Sequence, residues 1–320
     1  MDRRRRRART LSRIRSAFGL TLALTASGAL ASDTPTPLRA MAWLAPGADL
    51  AAALGRQPTE CLLKPDDPAL ARSIEIGRAA FRDPLLLGGQ AARAGLSCES
   101  CHAGGRDNPY FRFPGLSAGS GTADVTTSLF SRVRGNGVLD PKLIPDLAGP
   151  RAALKTPVTA LPAFIRGLVV EEFDGAEPPA AVLKGLSDYV SALDPAACPS
   201  ARDEPVSLAG HLADVRRALA AAATATDPQT AERMVGAARA ALFRIDERYQ
   251  ALPAETRALR AAARRLAALQ AAARTGAPGL DQGIEIWLTD SQSLERRLAA
   301  RQAQSLYVPA HLTRLRRDRP

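Results

Sequence analysis

Two cysteines and a histidine stand within five residues in the run Cys98-Glu99-Ser100-Cys101-His102. A Cys-x-x-Cys-His run is the attachment sequence of c-type haem, in which two thiols add to the vinyl groups of the porphyrin and the adjacent histidine binds the iron. The spacing is short because both sulfurs must reach one planar macrocycle. The run therefore predicts one covalent haem c, with Cys98 and Cys101 as thioether anchors and His102 as the proximal iron ligand.

Two other functions also use a Cys-x-x-Cys pair. A structural zinc site needs a second pair of ligands, but the other two cysteines, Cys61 and Cys198, are isolated in the sequence. A thioredoxin-like redox pair lies at a turn between a strand and a helix, and no strand is predicted before Cys98. Haem attachment is therefore favoured over both alternatives.

The first 31 residues have the three parts of a secretory signal peptide. Residues 1–15 contain eight arginines, residues 17–30 carry no charge, and the segment ends in Ala29-Leu30-Ala31. The uncharged run is shorter than the roughly 20 residues that a membrane-spanning helix needs, which disfavours an anchor. A nucleic-acid-binding arm is disfavoured because the arginines directly precede the apolar run. We expect a cleaved signal peptide and a periplasmic protein, in agreement with haem attachment outside the cytoplasm.

Much of the formal net charge of +11 comes from this leader. Residues 1–31 hold eight arginines and one aspartate, so the mature protein carries only +4, and the sequence pI of about 10.3 overstates how basic it is. Residues 203–320 carry +5, with 18 arginines and 13 acidic residues. This basic part predicts a solvated helix surface, or contact with an acidic partner or a membrane surface. No nucleic-acid partner is expected.

Residues 67–198 are predicted to form the haem domain. Asp67 and Pro68 begin a helix as N-cap and first helical residue, and apolar residues recur at intervals of three and four up to Phe81. A last helix follows Pro178. The region between these helices is rich in glycine and proline, and a bound haem explains how so long a loop region folds. Short helices are predicted near residues 126–131 and 162–170.

Two further segments flank the haem domain. Residues 32–66 are predicted to form an extended N-terminal arm with one helical turn near residues 48–54. Residues 203–320 are rich in alanine, leucine and arginine, and their short loops predict an antiparallel α-helical bundle. The helices of this bundle are predicted over residues 207–224, 228–250, 254–274 and 283–305.

The haem domain resembles a known family. Gly77 and Phe81 form a Gly-x-x-x-Phe pattern on the first helix, the haem motif follows, and the last helix carries Tyr189. This order of features resembles the cytochrome c domain. Residues 76–84 and 95–98 are more narrowly similar to the N-terminal haem domain of bacterial dihaem cytochrome c peroxidases and of their methylamine-utilisation-type relatives.

The resemblance covers about residues 68–193 and implies that the first and last helices cross, with a small residue on one admitting the aromatic ring of the other. The chain departs from the family because it has only one haem motif. The expected fold class is all-α, a cytochrome c domain with a loop-rich haem pocket followed by an antiparallel α-helical bundle.

The sixth position of the iron has several candidate ligands. Cytochrome c domains usually supply a methionine or histidine from their later loops, but after His102 the next histidine is His211 and the next methionine is Met234. The iron is therefore five-coordinate, bound by water, or bound by a residue from elsewhere in the chain. The lysine candidates must lose a proton to bind iron. The candidates are Met41, His211, Lys142 and Lys155.

Four residues close to the motif are candidates for the haem pocket. Tyr110 and Phe113 follow His102 along the chain and are candidates for the pocket wall. Arg106 and Arg112 are candidates for binding the haem propionates, because a guanidinium group holds a carboxylate through two hydrogen bonds.

Cys61 and Cys198 bracket the haem domain, one before its first helix and the other after its last. In an oxidising compartment two such cysteines are expected to form a disulfide that ties the ends of the domain together. The alternative is two unpaired buried thiols. A bridge that closes so long a loop stabilises a fold by up to about 5 kcal/mol.

Three functions remain open. The favoured one is electron transfer by an exported monohaem c-type cytochrome, to or from a redox partner protein. The second is a peroxidase-like oxidoreductase with an open distal site, although the resembling peroxidases need a second haem to supply electrons. Peroxidase chemistry also needs a group that moves a proton, and Glu171, Glu172 and Asp174 are candidates for it. The favoured interpretation of these three residues is a solvated acidic turn. The third is a redox- or gas-sensing module whose bundle binds a partner.

Overall fold

The structure is a computed structural model that describes residues 38–125, 130–150, 156–200 and 202–315. These residues are mostly helical and form only two small sheets, which confirms the predicted helical class. Within the described ranges, no helix combines the length and the apolar composition that crossing a membrane requires. The predicted signal peptide and Lys155 lie outside the described residues.

Short helices and one longer helix precede the loop region. They are α1 (Leu50–Gly55), α2 (Pro68–Phe81), α3 (Pro84–Leu87), α4 (Gly89–Arg93) and α5 (Cys98–Cys101). After the loops come α6 (Leu161–Gly167), which continues into a π-helical turn at Leu168–Glu172, and α7 (Ala180–Ala192). The C-terminal helices are α8 (Leu208–Ala223), α9 (Pro228–Arg248), α10 (Pro253–Arg274), α11 (Leu280–Arg301) and α12 (Pro309–Leu315).

The two sheets are antiparallel pairs of very short strands. β1 (Arg56–Pro58) pairs with β4 (Asp203–Pro205), and β2 (Thr122–Ala123) pairs with β3 (Lys142–Leu143). Of the predicted loop helices, the one near residues 162–170 is present as α6 and its π-helical turn. The one near residues 126–131 falls mainly on residues 126–129, outside the described part of the chain.

Helix α2 begins and ends where its sequence predicts. The carboxylate of Asp67 accepts hydrogen bonds from the backbone N–H groups of Ala69 and Leu70, at 2.9 and 3.3 Å, which satisfies two donors of the first turn. The helix ends at Phe81, and Asp83 caps α3 by accepting a bond of 3.0 Å from the N–H of Leu85.

Helices α2 and α7 pack against each other, and two glycines lie at the contact. The backbones approach so closely that a Cβ on Gly77 would overlap the carbonyl group of Gly185. Gly77 therefore admits the backbone of α7 rather than an aromatic ring, which corrects the expectation from the resemblance. The ring of Tyr189, one turn beyond Gly185, instead meets Phe81 edge-on, with ring centroids 5.1 Å apart.

Cys61 and Cys198 form a disulfide, so the predicted pairing is confirmed. The neighbouring strands β1 and β4 bring the two segments together, and the N–H of Thr59 donates to the carbonyl oxygen of Arg202 at 3.2 Å. Cys61 is fully buried. The disulfide thus joins the segment before α2 to the segment after α7.

The predicted helices of the bundle correspond to α8–α11, and their boundaries differ from the prediction by no more than a few residues. α9 packs against both α8 and α10, and buried residues such as Met234 and Leu266 fill the space between the helices. α2 also packs against α8 and α9. The first helix of the predicted haem domain and the bundle therefore share one apolar core.

The N-terminal arm is packed rather than extended, which corrects the prediction for its described part. A 3₁₀ turn forms at Arg39–Trp43, and helix α1 packs against the C-terminal helix α12. Met41 and Leu54 are buried there with Leu312, in an apolar cluster separate from the main core. The sequence pattern could not show this packing because the partner residues lie more than 250 positions apart.

Candidate functional site

The Cys-x-x-Cys-His run forms a single helical turn, α5. Ser97 caps it, and the hydroxyl of Ser100 accepts a hydrogen bond of 3.0 Å from the N–H of Ser97. Cys98 and Cys101 are three residues apart and share one face of this turn, and His102 follows directly as its C-cap residue with non-helical backbone angles. Neither thiol is in a disulfide.

The imidazole of His102 is held by two backbone carbonyl groups. Its Nδ1 lies 3.1 Å from the oxygen of Pro145 and 3.2 Å from that of Arg106. A carbonyl oxygen only accepts hydrogen bonds, so Nδ1 carries the proton. Burial lowers the pKa of the ring, which favours the neutral form. Nε2 is therefore left with a lone pair, the state of a metal-binding histidine whose second nitrogen donates to the protein.

The chain turns back directly after the motif, and this turn places the carbonyl group of Arg106 beside His102. Gly104 and Gly105 have φ values of +61° and +69°, in the left-handed region where glycine is favoured. A Cβ on Gly104 would also clash with the carbonyl oxygen of Pro58. The two glycines thus let the chain turn back within four residues of the histidine.

Arg106 holds the carbonyl group of Pro145, the other acceptor of the His102 hydrogen bond, in place. Its Nε and Nη2 donate to the two carboxylate oxygens of Asp146 at 2.7 and 2.6 Å, and its Nη1 lies 3.4 Å from the sulfur of Cys61. This two-pronged ion pair holds the Pro145–Asp146 segment beside His102. In the structure the guanidinium group of Arg106 is therefore paired with a carboxylate of the chain itself, and its binding of a haem propionate stays a prediction.

Both thiols lie deep in the fold yet keep some accessible surface. Burial raises the pKa of Cys98 to about 12, and it also raises the pKa of Cys101. Each cysteine packs against the main apolar core while remaining only partly buried.

An aromatic ring lies beside the histidine of the motif. The ring of Phe81 lies 6.4 Å from that of His102. Phe113, predicted as a wall residue, meets Phe130 edge-on at 5.4 Å, and Phe130 lies 6.0 Å from Phe173.

Tyr110 and Arg112, the other predicted pocket residues, each donate a hydrogen bond from the backbone N–H. Tyr110 is 38% exposed and is placed by a hydrogen bond from its N–H to the side chain of Asn108. The backbone N–H of Arg112 donates to the carbonyl oxygen of Trp43 at 2.7 Å.

The candidate sixth ligands lie in different parts of the molecule. Met41 is buried in the separate N-terminal cluster. The Nδ1 atom of His211 lies 2.7 Å from the hydroxyl of Tyr307 in the C-terminal part of the chain. Lys142 is exposed and pairs with Asp140 at 2.6 Å. Each of these three side chains has a contact of its own away from His102, and the structure does not bring them together.

The acidic segment after α6 is only partly solvated. The side chain of Glu172 is 1% exposed and pairs with Arg134 at 3.2 Å, whereas that of Glu171 is 32% exposed. Burial raises the pKa of Glu172, although Arg134 acts in the opposite direction. Asp174 pairs with Arg132 at 2.6 Å. The favoured interpretation as a solvated acidic turn is therefore wrong for Glu172.

The chemistry of the donor set fits a covalent haem. Two unpaired thiols share one helical turn, and the imidazole that follows it donates through Nδ1 and keeps a lone pair on Nε2, beside the ring of Phe81. Among the described residues, no three His, Cys, Asp or Glu side chains form a group suited to a bare metal ion.

Comparisons of this chain with protein-family models, with curated proteins and with solved structures find no match. The site is therefore interpreted from its own geometry and from the residues that form it.

Proposed function

We propose that this protein binds one haem c covalently and transfers single electrons between partner proteins outside the cytoplasm. The observation that carries the proposal is the state of His102, whose Nδ1 is bonded to the carbonyl oxygens of Pro145 and Arg106 beside two unpaired cysteines on the same turn. Bonding of the second ring nitrogen to a backbone carbonyl is the usual arrangement of a metal-bound histidine.

Each residue of the site has a defined role in this proposal. The sulfurs of Cys98 and Cys101 anchor the porphyrin, and Nε2 of His102 binds the iron. The ion pair between Arg106 and Asp146 keeps the imidazole oriented, because it fixes the segment whose carbonyl group accepts from Nδ1. Haem, when bound, supplies a one-electron couple that the protein tunes through its axial ligand and through burial.

Two further features support the proposal. The packing of α2 against α7, with Tyr189 against Phe81, agrees with a cytochrome c domain. The disulfide between Cys61 and Cys198 agrees with a protein that folds in an oxidising compartment such as the periplasm.

A second candidate function is the reduction of hydrogen peroxide, and the burial of Glu172 is the observation that favours it. Peroxide reduction consumes two protons and two electrons and releases two molecules of water, so a buried carboxyl group that exchanges a proton is useful there. The raised pKa of Glu172 gives it this ability. The electrons would come from an external donor protein.

The first experiment is the absorption spectrum of the purified protein in alkaline pyridine, which identifies haem and its covalent attachment. We expect a c-type spectrum that survives acid–acetone extraction. The double variant Cys98→Ser/Cys101→Ser should lose the covalent haem, whereas the matched control Cys61→Ser/Cys198→Ser should keep it. The absence of a haem band from the unaltered protein would overturn the proposal.

A second experiment separates electron transfer from peroxidase activity. A carrier with closed iron coordination should give spectra that peroxide does not change. Steady peroxide consumption with a reduced cytochrome as donor, weakened in Glu172→Gln and unchanged in Glu171→Gln, would favour the enzyme.

A further inference from the structure

A cavity of about 360 Å³ lies beside α5, and among the described residues neither the two thiols nor His102 line it. Glu99 and Ala103 contribute to its lining. Arg78 and Arg82 of α2 form another side, and Asp214 of α8 belongs to the bundle wall. The cavity is therefore distinct from the proposed haem site, although it shares the turn that carries the cysteines.

Ion pairs connect the walls of this cavity. The Nη2 atom of Arg82 lies 3.0 Å from Glu60 and 3.4 Å from Glu99, and Nε of Arg82 lies 3.9 Å from Asp214. Arg244 of α9 pairs with Asp214 at 3.1 Å and also donates to the carbonyl oxygen of Arg82 at 3.0 Å. Packing and ion pairs thus hold the lining in one arrangement, as a preorganised binding site requires.

The lining carries more positive than negative charge. Seven arginines and five carboxylates contribute to it among the described residues. Arg248 is 8% exposed, and its guanidinium group donates to the carbonyl oxygens of Leu306 and Leu54, at 2.9 and 2.6 Å, rather than to a carboxylate.

The protonation states of two lining residues, His211 and Asp214, agree with this excess of positive charge. Burial lowers the pKa of His211 to about 3, and the charges of Arg244 and Arg248 act in the same direction, so the ring is neutral. Burial alone would raise the pKa of Asp214, but Arg82 and Arg244 lower it well below its ordinary value. The cavity therefore has a positive potential that favours anions.

Two hydrogen-bond donors in the lining lack acceptors. The indole Nε1 of Trp43 and the Nε of Arg78 are buried and have no hydrogen-bond partner among the residues that the structure describes. A buried donor without an acceptor destabilises a protein, because it has lost its hydrogen bond to water without gaining another. Oε2 of Glu99 also lacks a hydrogen bond there, but Arg82 lies 3.4 Å from it. In the described lining, unsatisfied hydrogen-bond donors therefore outnumber unsatisfied acceptors.

We propose that this cavity binds a small dianion whose oxygen atoms belong to carboxylate or phosphate groups. The two negative charges of the ligand equal the excess of arginines over carboxylates in the lining. Its oxygen atoms accept hydrogen bonds from Nε1 of Trp43 and Nε of Arg78. The volume lies within the range of about 300–1,000 Å³ that small-molecule sites occupy. This proposal does not depend on haem, because none of its groups is a haem anchor or the proximal ligand.

Isothermal titration calorimetry on the purified full-length protein, at low ionic strength, tests the proposal. Sodium succinate and sodium phosphate are the probes, with sodium chloride as the control for ionic strength. We expect one site for at least one of the two dianions, and the comparison between them shows whether carboxylate or phosphate is preferred. The absence of binding by both probes at millimolar concentration, in protein with a normal melting temperature, would overturn the proposal.

Variants show whether the binding occurs in this cavity. Trp43→Phe removes the indole donor and keeps an aromatic ring, and we expect it to weaken binding about tenfold or more. Arg78→Lys keeps the charge but removes the Nε donor, and it should also weaken binding. Arg265→Gln, which removes an exposed arginine that pairs with Asp290 on the bundle surface, is the matched control. Equal binding by all three variants would place the anion elsewhere and contradict the proposal.

Discussion

Gly77 of α2 and Gly185 of α7 meet backbone to backbone. A Cβ on Gly185 would lie 2.6 Å from the carbonyl oxygen of Ser73 and 2.8 Å from the nitrogen of Gly77, and a Cβ on Gly77 would overlap the Gly185 carbonyl group. No side chain can be accommodated at either position unless the helices separate. This contact also sets the position of the ring pair Phe81 and Tyr189 one turn further along both helices, next to His102.

Replacing Gly77 with alanine should therefore destabilise the fold. We expect Gly77→Ala to lower the free energy of unfolding by about 3 kcal/mol, because the added methyl group forces α2 and α7 apart. Gly167 at the end of α6 is the matched control, since nothing lies within 4 Å of the Cβ that alanine would add there. Gly167→Ala should change the stability by no more than about 1 kcal/mol. Urea denaturation measures both, and equal effects would contradict the close contact.

Reducing the disulfide between Cys61 and Cys198 should lower stability. The two cysteines are 137 residues apart in the sequence, so the bond restricts the unfolded chain strongly. We expect a loss of about 2–4 kcal/mol in denaturation experiments with dithiothreitol. The double variant Cys61→Ala/Cys198→Ala is the control, and reductant should leave its stability unchanged. A similar reductant effect on both proteins would show that the bond is not the cause.

The sequence predicts the parts of this protein that local spacing encodes. The haem motif, the capping of α2 by Asp67 and the bundle helices each depend on residues a few positions apart. The disulfide could also be predicted, because the chain has only two cysteines outside the motif. The close approach of Gly77 to Gly185 could not, because it depends on how two distant helices pack.

The contacts around His102 show why the rest of the site could not be predicted. Every residue has a carbonyl group, so nothing in the side chain of Pro145 indicates that its oxygen accepts from the histidine. Arg106 has the right chemistry for a propionate, but Asp146 offers the same carboxylate 40 residues further along the chain. Glu172 looks solvated in the sequence, and the π-helical turn that follows α6 buries it.

Glu60 should stabilise the fold in a pH-dependent way. Burial alone would raise its pKa, but Arg82 and Arg78, together with the hydroxyl of Tyr189 at 2.6 Å, lower it from 4.5 to about 2. A carboxyl group whose pKa is lower in the folded state stabilises the protein fully above pH 4.5, and this contribution is lost as the pH falls towards 2. Acid titration of the stability should therefore show a loss in this window.

Replacement of Glu60 tests this contribution directly. We expect Glu60→Gln to cost about 3 kcal/mol at pH 7, because it leaves two largely buried arginines with weaker partners. The substitution should also flatten the acid loss between pH 4.5 and 2. Glu247→Gln, which weakens a more exposed pair with Arg39, is the control and should cost less than about 1 kcal/mol.

His211 should make the protein less stable below neutral pH. Burial, with Arg244 and Arg248, lowers its pKa from 6.5 to about 3, so the unfolded chain binds a proton between these values while the folded protein does not. The titration of His211 leaves the stability unchanged well above pH 6.5 and lowers it as the pH falls towards 3. The loss between pH 7 and pH 5 is about 2 kcal/mol. We expect His211→Gln to remove this part of the pH dependence in urea denaturation at pH 5, 6 and 7. The control is His311→Gln, which replaces a ring bonded to the carbonyl oxygen of Ser305 and should keep the full dependence. If His211→Gln retained the slope of the unaltered protein, His211 would not be the group that titrates.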